Sequence, residues 1–271
     1  MKYFVYCIAI CMIASSAVLG QSRQTKDVGT FTKISFRVSG KLYVRQGSPQ
    51  KVEIEGDKDA LEKTVVKVEG SRLIIGREGK WSNWNFGDDD EVNVYVTVKD
   101  IDALNVSGSG DIIAETKIVT TQLELNVSGS GNLKVEAEVS GDMEADVSGS
   151  GDLYVKGRCA SFNSDVSGSG KVNVAVAVAN RADFGVSGSG KVEASGSASD
   201  VKVSISGSGK VLAANMETNS CNVRISGSGD VEISVKNEID ANITGSGSVR
   251  YRGDPSKVNL HSTGSGSVRK M

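Results

Sequence analysis

One short phrase, Val/Ile-Ser-Gly-Ser-Gly with its Thr-Gly-Ser-Gly variants, recurs nine times along this chain, beginning at Ser107, Ser128, Ser148, Ser167, Ser187, Ser206, Ser226, Thr244 and Thr263. The steps run from 18 to 21 residues. A period near twenty with turn residues in every unit specifies stacked coils, because one unit cannot bury its own apolar face and must share a core with its neighbours.

Counting from the first Ser or Thr as position 0, position −1 is Val106, Val127, Val147, Val166, Val186, Ile205, Ile225 and Ile243, failing only at Ser262. Position −3 holds Leu104, Leu125, Phe184, Val203 and Val223 among others, and −5 is mostly apolar, including Phe162, Val201 and Cys221. Between them, −2 is polar in most coils: Asn105, Asn126, Asp146, Asp165, Arg224. After the glycines the alternation resumes, with Ile112, Leu133, Leu153, Val172 and Val192 at +5 and Val135, Val155 and Val174 at +7. This is strand alternation with one buried face, and β-branched residues suit it. Each coil therefore holds two strands joined by Ser-Gly-Ser-Gly, closed by a variable corner such as Lys156-Gly157-Arg158 or Ser195-Gly196-Ser197. Stacked coils pair like strands in parallel, so the fold class is all-β: a single parallel β-helix, or β-solenoid, of about 20-residue coils. The glycines are expected where the chain turns close to its neighbours or needs positive φ, and the serine hydroxyls are expected to bond backbone groups of the next coil. A phosphate cradle is not indicated, because such loops lead into a helix and here a strand follows.

Residues 21–100 are β-rich but less regular and read as a capping segment continuous with the solenoid, which occupies residues 101–271. Val38-Ser39-Gly40-Lys41-Leu42 resembles a repeat shortened by two at the turn, and Asp57 to Thr64 suits one or two helical turns with Asp57 as N-cap. The C-terminal end carries little that could cap it. Residues 1–20 read as a signal peptide: Lys2 precedes an apolar run from Tyr3 to Leu19, shorter than the roughly 20 residues of a spanning helix, and no second candidate span follows. Export follows, to the periplasm, the outer surface or the medium. Without those residues the formal charge changes from −2 to −3, too small a bias to draw nucleic acid. Cys159 and Cys221 remain, about three coils apart, and strand spacings of roughly 4.8 Å put them beyond the ~7 Å reach of a disulfide, so both are expected as free thiols.

The stretches Phe31 to Val44, Val52-Glu53-Ile54-Glu55-Gly56, Leu73-Ile74-Ile75 and Val92 to Val98, followed by repeated Val-Ser-Gly-Ser-Gly-Asp, together resemble the putative auto-transporter adhesin, head GIN domain family of secreted bacterial proteins. The resemblance covers about residues 30–270. It implies an exported β-helical protein of Gram-negative origin with an adhesive role, and it brings no catalytic residues. A membrane barrel of the autotransporter kind needs amphipathic strands of about 10 residues, and nothing after Val268 supplies them.

Few residues invite chemistry. Trp81, Trp84 and Phe86 sit in a stretch between strands, where indoles either cap the solenoid or stack on a sugar or protein partner; capping is the expectation. Asp88 to Glu91 lack the spacing of a calcium loop. Lys171, Lys191 and Lys210 fall at +4 of successive coils, a mildly repulsive ladder that an anionic glycan could relieve, although solvated lysines fanning into water are the expectation. Asp146 and Asp165 on neighbouring coils would stand near the carboxylate separation of a retaining glycosidase, although neither is expected to be desolvated. His261 is the only histidine, on the outer face of the last coil, which argues against a Ser-His-Asp system and a His-rich zinc site. Arg252-Gly253-Asp254 and the sequons at Asn105, Asn126 and Asn242 are read as accidents of the repeat. No cofactor is expected. The leading reading is a non-catalytic structural or adhesion-type protein whose partner is a glycan or a cell-surface protein, with end-to-end self-association open to it. The alternative is a β-helical polysaccharide-active enzyme using outward acids.

Overall fold

A computed structural model describes residues 22–77 and 91–271. The chain winds as a parallel β-solenoid of two facing sheets. Strands that enter the Ser-Gly-Ser-Gly turn form sheet A, and strands that leave it form sheet B. In one coil Leu123–Gly129 lies in sheet A and Asn132–Val139 in sheet B. The next coil repeats them as Asp142–Gly149 and Asp152–Cys159, paired in parallel and in register: Val127 on Val147, Ser128 on Ser148, Leu133 on Leu153. The apolar ladders at −5, −3, −1, +5 and +7 form the core between the sheets. Ser164 breaks the −3 ladder and is fully buried, but its hydroxyl donates to the Ala145 carbonyl at 2.7 Å and so is not left unmet.

The two glycines of the motif do different work. Gly149 has φ of +122°, and a Cβ there would lie 2.5 Å from the carbonyl oxygen of Gly129 in the coil before. Gly151 lacks the positive φ, but its Cβ would lie 2.2 Å from the carbonyl oxygen of Gly131 and 2.7 Å from Cγ1 of Val127, the −1 residue, both in the preceding coil. The first glycine turns the chain at positive φ, and the second leaves room for both the backbone and the core valine of the coil beneath it. The Ser150 and Gly151 N–H groups both donate to the Gly129 carbonyl at 2.9 Å, so the turn keeps its hydrogen bonds to the coil below without help from the serine hydroxyls. Those hydroxyls stand at the exposed edge, contrary to the expected role.

Sheet B reaches further than the alternation at +5 and +7 indicates. Its strands run on to Val139, Cys159 and Val178, with Ala137 and Val176 buried at +9. Gly157 and Gly196 therefore lie inside strands, paired with Ala137 and Val176, and are not corners. Cys159 and Cys221 are buried free thiols, both pushed up to about 12 by burial.

At the N-terminal end the coils are stacked out of chain order. The coil of Lys33–Phe36 and Gly40–Gln46 lies between the first repeat, Ala103–Gly108 with Asp111–Ala114, and a coil made of Arg72–Arg77 and Val92–Val98. Phe36 pairs with Val106 and Lys41 with Asp111, so this coil has a full-length turn in which Phe36 takes the −1 place. The shortened repeat beginning at Val38 is corrected accordingly: Phe36 was hidden because its turn reads Arg37-Val38-Ser39-Gly40. Antiparallel strands then end the parallel ladders. Thr64–Glu69 returns along Arg72–Arg77 through Gly70, whose φ of +60° makes the two-residue turn, while Lys51–Gly56 runs against Val92–Val98 and carries Ser22–Thr25 outside it. Between them the helix Lys58–Lys63, with Asp57 at its N-cap, buries Ala60 and Leu61. One side chain completes a strand: the Gln46 amide accepts from Val119 N–H at 2.7 Å and donates to Val119 C=O at 2.9 Å, as a neighbouring backbone would.

The division of labour in the motif is testable by urea unfolding. Gly151→Ala drives a Cβ against the Gly131 carbonyl and Val127 and is expected to cost at least about 1–3 kcal/mol. Ser150→Ala, at the exposed edge, is expected to change stability by less than about 0.5 kcal/mol. Equal effects would contradict the assignment.

Candidate functional site

The outer face of sheet B is covered over much of its length by long charged side chains, and it opens where the outward residues are small. Tyr154, Asn173, Glu193 and Leu212 follow one another at one outward position in successive coils, in register. Beside them Ala175, Ser195 and Ala214 are too short to fill the next column. The result is a groove of ≈ 580 Å³. It is widened by a register break, for Glu193 faces Leu212 but Ser195 faces Asn215, and the strands meet in step again only past Ala213 and Glu217 in the following pair. Extra residues in one strand bend it and re-aim its side chains. The period carries the signal: a step of 20 residues from Ser206 to Ser226 is followed by one of 18 to Thr244, so two residues have no counterpart.

Tyr154 stands at one end of the groove, 39% exposed, with its hydroxyl donating to Asp152 at 3.1 Å. Partial burial, then the Asp152 carboxylate, raises the phenol above its usual range. Asn173 Nδ2 is buried without a hydrogen-bond partner, a donor that costs free energy until something accepts from it. Glu193 is held below the usual carboxylate range by Lys191 at 2.8 Å and Lys171 at 3.0 Å.

The sequence-derived lysines therefore belong to this neighbourhood in an unexpected way. Lys171, Lys191 and Lys210 do stack in register. Each also has an acid in reach: Glu193 serves the first two, and Asp230 stands 3.0 Å from Lys210. The repulsion expected of the ladder is relieved inside the chain: Glu193 lies at another outward position, and Asp230 follows Lys210 in the same column one coil on. Trp81, Trp84 and Phe86, and Asp88 to Asp90 with them, lie outside the described residues. His261 lies in the strand Lys257–Gly264, whose residues are all exposed. Among the described residues no three His, Cys, Asp or Glu side chains are grouped so as to hold a metal ion.

Sheet A carries a second feature on its outer face. Asp146 accepts the Asp165 N–H at 2.9 Å. Half-burial pushes its carboxyl up to about 6; the bond from Asp165 opposes this, while the nearby Glu144 and Asp165 carboxyl groups add to it. The expectation that neither of these acids is desolvated is thus corrected for Asp146, which loses water to the side chains stacked above and below it. In the two coils beneath, the same position forms an asparagine ladder, with Asn126 Nδ2 donating to Asn105 Oδ1 at 2.9 Å.

That environment has a pH signature. A carboxyl whose folded pKa is about 6 against a usual 3.8 favours the folded state below about pH 4, and the contribution is lost as pH rises through 6. Asp146→Asn keeps an acceptor for Asp165 and extends the asparagine ladder. The variant is expected to be more stable than the parent at pH 7.5 by on the order of 1 kcal/mol, discounted because the side chain is half exposed, with the difference vanishing near pH 4. A difference that does not change with pH in thermal melts would contradict the desolvation.

A family model described as "Putative auto-transporter adhesin, head GIN domain" matches residues 30–193 and again 172–255. Three solved structures are similar along nearly their whole length. A putative lipid binding protein from Parabacteroides distasonis ATCC 8503 is 23% identical, with 94% of this chain and 98% of that one covered and a TM-score of 0.67. A putative adhesin from the same organism is 20% identical, covering 93% and 97%, with a TM-score of 0.68. A putative adhesin from Parabacteroides merdae ATCC 43184 is 21% identical, covering 94% and 97%, with a TM-score of 0.66. At these identities the likeness speaks for the fold. No curated protein matches the sequence.

Proposed function

The chain belongs to the putative auto-transporter adhesin, head GIN domain family, and from that premise we propose that it is an exported, non-catalytic, adhesion-type protein that holds a neutral glycan in the groove of sheet B. The family name and the similar folds named as adhesins support the adhesive part. The sequence of residues 1–20 supports export, and no described helix is long and apolar enough to cross a membrane.

The observation that carries the glycan reading is the unpartnered Asn173 amide beside Tyr154. An aromatic ring offers an apolar surface to the C–H face of a sugar, and a buried amide donor is satisfied by a hydroxyl. Asn215 and Ser195 add neutral donors and acceptors around the same space. Because Glu193 and Asp230 already answer the three lysines, the site has little to gain from a polyanion, which favours a neutral sugar over an acidic one.

A second reading, a polysaccharide-active enzyme, draws on the raised carboxyl of Asp146 beside Asp165, since a general acid needs such a shift. It is answered by assaying reducing-end release from polysaccharides with the parent and with Asp146→Asn. Release abolished by that substitution would replace the adhesive reading.

Binding is tested on a glycan array, followed by calorimetry on the neutral glycan retained best. Tyr154→Ala and Asn173→Ala are each expected to weaken binding about tenfold or more, close to 1.4 kcal/mol, while Lys210→Ala leaves it nearly unchanged. Retention of acidic glycans only, or binding indifferent to both groove substitutions, would sink this proposal.

A further inference from the structure

On the outer face of sheet A, opposite the groove, lies a second depression, of ≈ 560 Å³. It follows the −2 column, where Asp165, Gly185, Ser204 and Arg224 stand in register in four successive coils. Earlier in that column the side chains meet one another, Asn126 on Asn105 and Asp146 against the Asp165 N–H. At Gly185 and Ser204 the column empties. Along one side run Ser187, Ser206 and Ser226, exposed hydroxyls that, among the described residues, bond nothing in the chain.

Gly185 lies inside the strand Arg181–Gly188, and its φ is outside the left-handed region, so the backbone does not call for glycine there. A glycine in a strand interior weakens the strand and marks a close approach. What approaches is the Asp165 carboxylate, for a Cβ on Gly185 would collide with its Oδ1. The acid thus leans along the column into the depression, and Arg224 closes the far end two coils on. Among the described residues neither of these charges has an ion-pair partner. The nearest group to Asp165 is a second acid, Asp146, and the two carboxylates repel. The neighbouring outward column has the same polarity, with Asp183 in the coil of Gly185 and Lys202 in the next. The depression is therefore a dipolar trough. From Gly185 to Arg224 it spans two strand spacings, roughly 10 Å at about 4.8 Å each.

We propose that this trough binds a short peptide with both ends free, a tripeptide in length, its ammonium against Asp165 and its carboxylate against Arg224. The spacing selects the length, because an extended chain advances about 3.3 Å per residue and three residues span roughly 10 Å. The charges select the ends. An ammonium relieves the repulsion between Asp146 and Asp165, and a guanidinium takes a carboxylate through two parallel hydrogen bonds. A simple cation or anion would meet one end of the trough and leave the other unmet. Between the ends, the Ser187 and Ser206 hydroxyls both donate and accept, which suits the N–H and C=O groups of a peptide. The site shares no residue with the groove of sheet B and does not depend on the glycan reading.

Calorimetry with trialanine tests the proposal with no glycan present. Trialanine is expected to bind, N-acetylation and C-amidation are each expected to weaken it at least about tenfold, and dialanine is expected to bind less tightly. Each end is assigned by the substitution that erases its own difference. Asp165→Asn is expected to bind acetylated and free-amine peptide alike, and Arg224→Gln to bind amidated and free-acid peptide alike. Gly185→Ala sets a methyl group where the Asp165 carboxylate leans. That carboxylate is the free end of a flexible side chain and swings aside, so the melting temperature is expected to equal or exceed the parent's, alanine weakening a strand less than glycine. Binding is nevertheless expected to fall about tenfold or more. A glycine needed only for folding would instead lower the melt. No binding of trialanine at millimolar concentration, or binding indifferent to blocked ends or to Arg224→Gln, overturns the proposal.

Discussion

The structure depends on each coil hydrogen-bonding to the next in strict register, and the register depends on what is missing from the turn. A side chain at Gly149 would strike the Gly129 carbonyl, and one at Gly151 would strike the Gly131 carbonyl and Val127. With both absent, the turns nest, the −1 valine of one coil sits under the second glycine of the next, and the strands on either side are brought into step. Burial of the apolar ladders follows, at roughly 1.5–3 kcal/mol for each Val, Leu or Ile fully removed from water. Conformational freedom is lost residue by residue, so a coil is worth forming only on an existing one.

That economy explains where specific features are allowed. The interior columns admit few changes, such as Ser164 with its hydroxyl bonded to the Ala145 carbonyl, but outward positions on the flat faces are free to differ from coil to coil. On sheet B they range through Tyr154, Asn173, Glu193 and Leu212 in four consecutive coils. A groove arises there because small residues at the neighbouring outward position coincide with two extra residues in the strand Lys210–Gly227, which the stack absorbs as a register break without losing its core. The scaffold supplies rigidity, and the irregularity supplies the site.

The sequence disclosed the solenoid almost entirely, because a nine-fold phrase aligns its own strands and the apolar columns then name the core. Its reach ended where the argument from repetition ended. Phe36 and its coil were misaligned because their turn lacks the repeated phrase, and no periodic signal says that this coil lies between two that are distant from it in sequence. The lysine ladder is legible, with Asp230 next in its own column, but Glu193 is not legible as a partner, since it belongs to a different column. Asp146 looked like any outward acid; its desolvation comes from neighbours stacked above and below, a property of three coils and of no single one. The groove was missed for a similar reason, although the change in step from 20 to 18 residues marked its position.

The central claim is the even, in-register stacking of the repeat coils, and pulsed electron spin resonance measures it directly. Spin labels on the exposed serine column, with one label fixed at Ser128 and the second moved to Ser187, Ser206 and then Ser226, report three, four and five coil steps. The account predicts distances that grow evenly, by about 4.8 Å for each coil added. Distances that fail to increase with each step, or that change by unequal amounts through this part of the chain, would contradict it.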